Sequence, residues 1–301
     1  DLRLFVHVAE AGNLTQGAAR TYLSAPAASA RIRALEGQLN VKLLYRGNKG
    51  VSLTQAGERL LHHARIIQRQ VEHLSDEFSA PGQEEKGHVR VFANTTAVTE
   101  FMPEILAQFL AVRLGVTVDI QERLTDDIIR GVRDGTADLG IISGDAHGKS
   151  LEEIRFPTDR LVLVVSMDHP LAIRSSVSFD ETLVYEHIGL HEGSTLLAFL
   201  GGLLDRHGYD RKLRIQARSF EAMCRMAEAG VGIGVVPESA AIRHVQTMQI
   251  ALIKIDEPWA VRKRYVLVRE LDALPRAAQA LVAELVARQI GGMSAGKQEA
   301  G

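Results

Sequence analysis

The chain has 301 residues, 46% hydrophobic and 24% charged, with a formal net charge of −2. That is an ordinary globular balance with room for two or three domains, and the overall charge does not announce a nucleic-acid partner. The single cysteine, Cys224, excludes an internal disulfide, and no apolar run approaches the roughly 18 residues of a membrane span, so a soluble, cytoplasmic protein with no membrane partner is expected. The charge is unevenly spread. Residues 1–53 carry seven basic and three acidic side chains, a net +4 that leaves about −6 on the rest. A basic head on an acidic body suits a head that binds DNA and a body that does not. The chain opens on Asp1, and an initiator methionine is expected ahead of it.

The first elements read as helices. Leu2, Phe5, Val6 and Ala9 recur at helical spacing, and Gly12 ends that run. Asn13 is a good N-cap for a short helix over 14–21, which Tyr22 and Leu23 break. Ser24 caps the next helix, with Pro26 in its first turn, where a missing N–H costs little. There Ala28, Ile32, Leu35 and Leu39 share an apolar stripe, and Pro26, Ala30, Arg33 and Gly37, flanked by Ser29, lie opposite. A helix with one buried stripe and small, hydroxyl and arginine groups outside fits the roughly 12 Å major groove of DNA. The bland alternative is a two-helix corner of a core. Short extended pieces near 43–45 and 51–53 then flank RGNKG, whose Gly47 and Gly50 suit a hairpin tip. Arg46 and Lys49 on that tip make a basic wing placed to meet phosphates.

Ala18, Ala19, Leu23, Ser24, Pro26, Ala27, Ser29, Ile32, Leu35, Glu36, Leu39, Val41, Leu43, Leu44, Arg46, Leu53, Thr54, Ala56 and Gly57 stand in one dense order. On them, residues 1–58 resemble the winged helix-turn-helix of the LysR-type transcriptional regulators. The resemblance implies a double-stranded DNA partner and carries base contacts over to Pro26, Ser29 and the wing Lys49. Two positions depart from it: Ala25 stands where the family often has glutamine, and Ala30 where it often has arginine. Arg31 and Arg33 are expected to compensate, Arg33 being the better placed on the helical wheel. The expected DNA-contacting set is therefore Ser24, Pro26, Ser29, Arg31, Arg33, Arg46 and Lys49.

A connector follows over 59–87. Thr54 caps a helix in which Leu60, Ala64, Ile67, Val71, Leu74 and Phe78 keep a 4-3-4-3-4 rhythm, a heptad seam. About 25 residues at 1.5 Å each give roughly 37 Å of helix. An identical chain is the simplest partner for that seam, giving a homodimer, or a homotetramer as a dimer of dimers. Two heads joined this way would meet half-sites about 34 Å apart. The alternative is a helix packed along its own body. His62 and His63 point about 100° apart and read as surface. PGQEEKG over 81–87 has the composition of a hinge.

From Val89 strands and helices alternate: VRVFA, a helix over 97–112, VTVDI, a helix to about Arg133, DLGII, then LVLVVS, HIGLH, a helix over 195–207, LRIQA, a helix over 219–229 and VGIGVVP. That alternation predicts a parallel α/β sheet covered on both faces. A crossing strand near 161–166 and a return near 264–269, before an amphipathic helix over 275–290, describe two lobes joined by two strands. The layout resembles a periplasmic-binding-protein-like domain, which the LysR-type family uses as its effector-binding domain. Lobe I is expected over 88–162 and 266–290, lobe II over 163–265, and a disordered tail over 291–301. Ligands of such sheets sit where strand ends meet helix N-termini, which favour anions. The suitable residues are Asn94, Thr95, Thr96, Thr125, Ser143, Gly144, Ser194, Thr195 and Phe220, although helix capping alone explains each taken singly. The resemblance aligns Thr96 and Thr125 with positions where relatives bind carboxylate inducers, and implies a small, often anionic or aromatic effector. Arg155, Arg160 and Arg218 are candidate counter-charges.

Enzyme readings find little footing. GVGIG over 230–234 follows a helix and leads into a strand, the reverse of a dinucleotide fingerprint. No G-x-S-x-G occurs. Cys224 lies mid-helix among apolar neighbours and reads as core. His187 and His191, with Glu192 beside them, are too few for a metal site. No catalytic residue, cofactor or metal is expected. Two functions remain: a ligand-responsive transcriptional regulator, or a solute-binding module with an N-terminal protein-interaction domain.

Overall fold

The computed structural model describes residues 1–47, 50–77, 87–144, 151–207 and 213–295, which form two compact units. In the first, α1 (Leu2–Ala11) stops at Gly12, whose φ is 57°. The Asn13 side chain accepts from the amides of Thr15 and Gln16 and so starts α2 (Leu14–Ala19). Tyr22 breaks the run at φ 57°, and Ser24 accepts from the Ala27 amide to start α3 (Ala25–Leu39). The wing is an antiparallel pair, β1 (Leu44–Gly47) and β2 (Gly50–Leu53), and α4 (Gln55–Glu77) follows it. Phe5, Val8, Ala28, Ile32 and Leu43 meet in a core closed to solvent. Each of the larger ones contributes about 1.5–3 kcal/mol by burial. The wing is docked on the end of α1: the Val51 amide donates to the Gly12 carbonyl at 2.9 Å. Gly50 has φ 122°, and a Cβ there would stand 2.4 Å from that carbonyl oxygen, so glycine is required.

The expected α3 stripe holds for Ala28, Ile32 and Leu35 and fails at Leu39, which is 47% exposed. The helix outruns the small core, and Asn40 closes it at φ 50°. Asn48 and Lys49, the latter expected on the wing, and 78–86, including Phe78 and most of the expected hinge, lie outside the described residues.

The second unit opens with β3 (Gly87–Ala93), a π-helical turn at Ala97–Phe101 and α5 (Met102–Ala111). Lobe I continues through β4 (Val116–Glu122), α6 (Thr125–Arg133), β5 (Leu139–Ser143) and the first part of β6 (Glu152–Ser166). Lobe II holds β7 (Ser176–Val177), α7 (Phe179–Thr182), β8 (His187–Leu190), α8 (Thr195–His207), β9 (Leu213–Ala217), α9 (Phe220–Glu228), β10 (Ile233–Pro237), α10 (Glu238–Val245) and β11 (Ile250–Ile255). The chain then returns to lobe I as β12 (Val261–Val268) and α11 (Arg276–Ala295).

Strand order is β4-β3-β5-β12-β6-β10-β8-β9, with β11 pairing β6 and β7 pairing β11. The parallel sheet expected from the alternation is present at each end, where β3 runs with β4 and β5, and β8 with β9 and β10. The middle corrects it: β6 and β12 are antiparallel to each other and to their other neighbours, β10 and β5. A chain that passes from one lobe to the other and back must run outward once and homeward once. β6 pairs β12 up to Arg160 and pairs β10 from Leu161, and β12 begins at Val261 opposite Arg160. Lobe II is therefore 161–260 rather than 163–265. A change of partner within one continuous apolar run leaves no mark in hydropathy. The elements β7, α7, α10 and β11 went unread. The helix α11 reaches Ala295, so the expected tail begins inside it; 296–301 lie outside the described residues.

Alternation along β12 builds both faces of lobe I. Val266 and Val268 join the core under α5 and α11, while Tyr265 and Leu267 join the core under α6.

Candidate functional site

The head presents the outer face of α3. Pro26, Ala30 and Arg33 are exposed opposite the buried stripe, Ser24 is exposed at the cap, and Ser29 is half-buried. Ser29 is held to the wing: Arg46 Nη1 donates to its Oγ at 2.9 Å. Arg31 points elsewhere, its Nε lying 3.6 Å from the Asp1 carboxylate. Arg33 is thus the exposed cation on that face of α3, as the helical wheel implies, and Lys49 lies outside the described residues.

Glu36, in the last turn of α3, fixes the wing against that helix. Its Oε1 accepts from the amides of Leu43 at 2.8 Å and Leu44 at 3.3 Å, and Lys42 Nζ stands 3.3 Å from Oε2. Burial pushes this carboxyl toward the neutral form, but the two amides and Lys42 outweigh it and hold the group below the usual carboxylate range.

The α4 seam divides in two. Ala64 is closed to solvent and Leu60 packs on the head core, whereas Ile67, Val71 and Leu74 are 48%, 58% and 54% exposed. The first turns of α4 lie along α1, where Arg65 pairs Glu10 at 2.9 Å. An unbroken seam from Leu60 onward is therefore corrected: its first two positions serve the chain's own core.

In the second unit a cavity of about 790 Å³ opens at the carboxyl ends of β3, β4, β5 and β10. Asn94, Thr96, Thr125, Ser143, Gly144 and Thr195 line it, as expected. Asn94 joins two of its loops, donating through Nδ2 to Ser143 Oγ and accepting the Ala97 amide through Oδ1, both at 2.8 Å. Three expected residues do not line it. Thr95 is buried and gives its hydroxyl to Glu122, 2.5 Å away. Ser194 is buried and accepts the Leu197 amide, and Phe220 sits in the lobe II core. A cap turned toward its own helix, or a ring turned into a core, has nothing left to offer a ligand. The proposed counter-charges Arg155, Arg160 and Arg218 do not line the cavity either.

The charges that do line it were missed. Arg206, Arg262 and Lys263 stand there with Asp126 and Asp159, beside Phe199 and Trp259, the only tryptophan in the chain. Arg262 Nη2 donates to the Ser143 carbonyl at 3.0 Å, and its guanidinium lies 3.7 Å over the Phe199 ring. Gly144, at φ 97°, donates its amide to the Lys263 carbonyl at 2.8 Å. A Cβ there would come within 3.3 Å of Arg262 Nη2. The signal was present in the sequence: a tryptophan just ahead of a returning strand that starts with basic residues and turns apolar.

On the cavity wall, Asp159 accepts from the Ser239 hydroxyl at 2.6 Å, at the start of α10, and lies 3.6 Å from the buried Arg264. Burial pulls the Arg264 guanidinium down, and Asp159 opposes that. Arg264 also donates to the Pro157 carbonyl. Elsewhere, Cys224 is fully buried in α9, and burial, aided by Glu100 and Glu221, pushes its thiol up to about 11. His187 is held by its bond to the Thr182 carbonyl, and burial pulls its imidazole down. Among the described residues no three His, Cys, Asp or Glu side chains cluster to hold a metal, and no helix is long and apolar enough to cross a membrane.

Residues 1–58 match the family model described as a bacterial regulatory helix-turn-helix protein of the lysR family, and residues 82–289 match the LysR substrate binding domain. A probable RuBisCO transcriptional regulator of Porphyra purpurea is 29% identical over 251 residues, covering 81% of this chain and 79% of that one. A full-length OxyR variant from Pseudomonas aeruginosa superposes with a TM-score of 0.72 at 22% identity, covering 94% and 96% of the two chains. Full-length CbnR complexed with its target DNA gives a TM-score of 0.65, also at 22% identity, covering 95% and 98%.

Proposed function

Since the chain belongs to the LysR family of DNA-binding transcriptional regulators with an effector-binding domain, we propose how its own residues divide that work. The face of α3 bearing Pro26, Ser29, Ala30 and Arg33 enters the major groove, and the wing residues Arg46 and Lys49 meet phosphates. The observation that carries this reading is the split of α3 into a stripe closed to solvent at Ala28 and Ile32 and an exposed face carrying Arg33. Ile67, Val71 and Leu74, exposed beyond the head, pair two chains so that two heads reach neighbouring half-sites. The cavity lined by Asn94, Thr96, Thr125, Ser143 and Thr195 takes a small-molecule effector. Binding of chromosomal DNA places the protein in the cytoplasm. The family match to both units favours this over a solute-binding module with a protein-interaction head.

The test is a band-shift titration with duplex selected by the full-length protein from a random pool, repeated across salt concentrations. Release of counterions from phosphate makes the logarithm of affinity fall steeply and linearly with the logarithm of salt. A retained complex whose affinity is flat in salt, or no retained complex, contradicts the assignment of α3 and the wing.

A further inference from the structure

Ser29 lies one turn before Arg33 on the same side of α3. Its Oγ accepts a bond from Arg46 Nη1, on the first wing strand, at 2.9 Å. A guanidinium has donors and no acceptor, so in this pair the hydroxyl can only accept. Neither side chain makes another hydrogen bond or ion pair among the described residues. In particular, the hydroxyl does not turn back to the carbonyl of Ala25, four residues earlier, where a serine within a helix often rests.

That one bond settles the polarity of Ser29. A serine hydroxyl has one proton and two lone pairs, and it rotates to suit its partner. With one lone pair held by Arg46, the proton is directed away from the guanidinium. A second donor aimed at the same oxygen would bring its positive hydrogen beside that cation. Ser29 is thus left to donate. In the major groove guanine shows N7 and O6 as acceptors, adenine N7 and thymine O4, whereas cytosine shows only its N4 amino donor. A side chain this short, on a helix seated by the core, reaches one base of a pair.

We propose that Arg46 is a positioning residue that fixes Ser29 as a hydrogen-bond donor, so that the head rejects cytosine at the base Ser29 meets. The proposal rests on the reading that this face of α3 enters the major groove. One wing side chain then does two things: Nη1 sets the serine, and Nη2 and Nε remain for a phosphate. Without Arg46 the hydroxyl turns freely, and a free serine pairs with donor or acceptor alike.

The test selects duplexes from a random pool with the full-length protein, S29A, R46M and R46K, and reads the base preference at every position. S29A identifies the position that Ser29 reads, since the preference there alone collapses. At that position the wild type binds cytosine about tenfold more weakly than the favoured base, the worth of one mismatched hydrogen bond. R46M cuts this penalty to about twofold and keeps the preferences elsewhere, while its affinity falls alike for all sequences as the phosphate contact goes. R46K, which also only donates, restores the rejection of cytosine. A wing merely loosened by R46M relaxes every position together, and that result overturns the proposal. So does full rejection of cytosine by R46M, or S29A with wild-type preferences throughout; in each of these cases selection by the wild type leaves the α3 reading standing. If the wild type retains no duplex, that reading and the inference fall together.

Discussion

Replacing Glu36 by alanine removes the acceptor that two buried amides share. Those amides, from Leu43 and Leu44, start the first wing strand, and the carboxylate itself is only 6% exposed. A buried donor left without a partner costs about 1–3 kcal/mol, so E36A, which strands two, destabilises the head by about 2–6 kcal/mol. E36Q keeps one oxygen at the same place and loses the charge, which costs about 1–2 kcal/mol. For a unit of this size, that smaller loss lowers the head's melting temperature by about 5–15 °C. The two units report separately. The head contains no tryptophan, so Trp259 fluorescence follows only the second unit, while hydrogen exchange at Leu43 and Leu44 follows the wing. The expected result is fast exchange at those two amides in E36A with an unmoved Trp259 transition. The pH dependence has a definite sign. Glu36 is held below the usual carboxylate range, so its contribution is present above its unfolded pKa and is lost as pH falls through the lowered folded value. E36Q therefore flattens the acid limb of head stability. Wild-type exchange rates at Leu43 and Leu44 in E36A refute this account of the wing.

Three further outcomes are expected. Arg33→Ala weakens binding to the selected duplex by roughly 1–3 kcal/mol and relaxes its sequence preference, whereas Arg31→Ala, whose partner is Asp1, does neither; equal footprints for wild type and R33A remove Arg33 from the contact set. Replacing Ile67 and Leu74 by glutamate in one chain puts charge on the exposed part of the α4 seam and yields monomers by sedimentation, with the Trp259 transition unchanged; an unaltered sedimentation profile places the association elsewhere. Cys224 reacts with a thiol-disulfide reagent only after unfolding, because burial withholds both access and the thiolate; one equivalent bound at neutral pH with native Trp259 emission contradicts that.

What the sequence made legible was local. Asn13 and Ser24 cap their helices as read, because a cap is a bond between a side chain and amides two or three residues away. Ala28 and Ile32 are buried as read, because a helix repeats its environment every turn. The same periodicity misled at Leu39 and at the α4 seam. It says which residues share a stripe, and tertiary packing decides which partner covers each part. In the cleft, Asn94, Thr96 and Thr125 were legible because ligand sites follow strand ends. Thr95 and Ser194 were not separable from them, since whether a hydroxyl turns to its own helix, to Glu122 or to the cavity is settled by rotamer and neighbour. Arg262 was legible only as a basic residue at the head of the returning strand; its contacts with Ser143 and Phe199 were not, because those residues lie 119 and 63 positions away along the chain.

The two lobes are joined by bonds of two very different strengths, and that contrast bears on how a ligand could act. At the periphery, Arg243 on α10 reaches Glu104 at 3.1 Å and the Glu100 carbonyl at 2.9 Å, and His191 comes within 3.8 Å of Glu122. The side chains of the Arg243 pair are 54% and 61% exposed, so such a contact is worth about 0–1 kcal/mol. At the base of the cleft, Asp159 of lobe I is buried beside Arg264 of the same lobe and accepts the hydroxyl of Ser239 from lobe II at 2.6 Å, a bond to a charged group worth about 1.5–3 kcal/mol. The base is therefore the stronger tie, and the rim is the cheaper to rearrange. With the rim contacts this weak, a ligand that prefers one arrangement by about 2–3 kcal/mol shifts the ratio of the two by roughly 30- to 150-fold. Total affinity is irrelevant to that shift. Only contacts that differ between the two arrangements count.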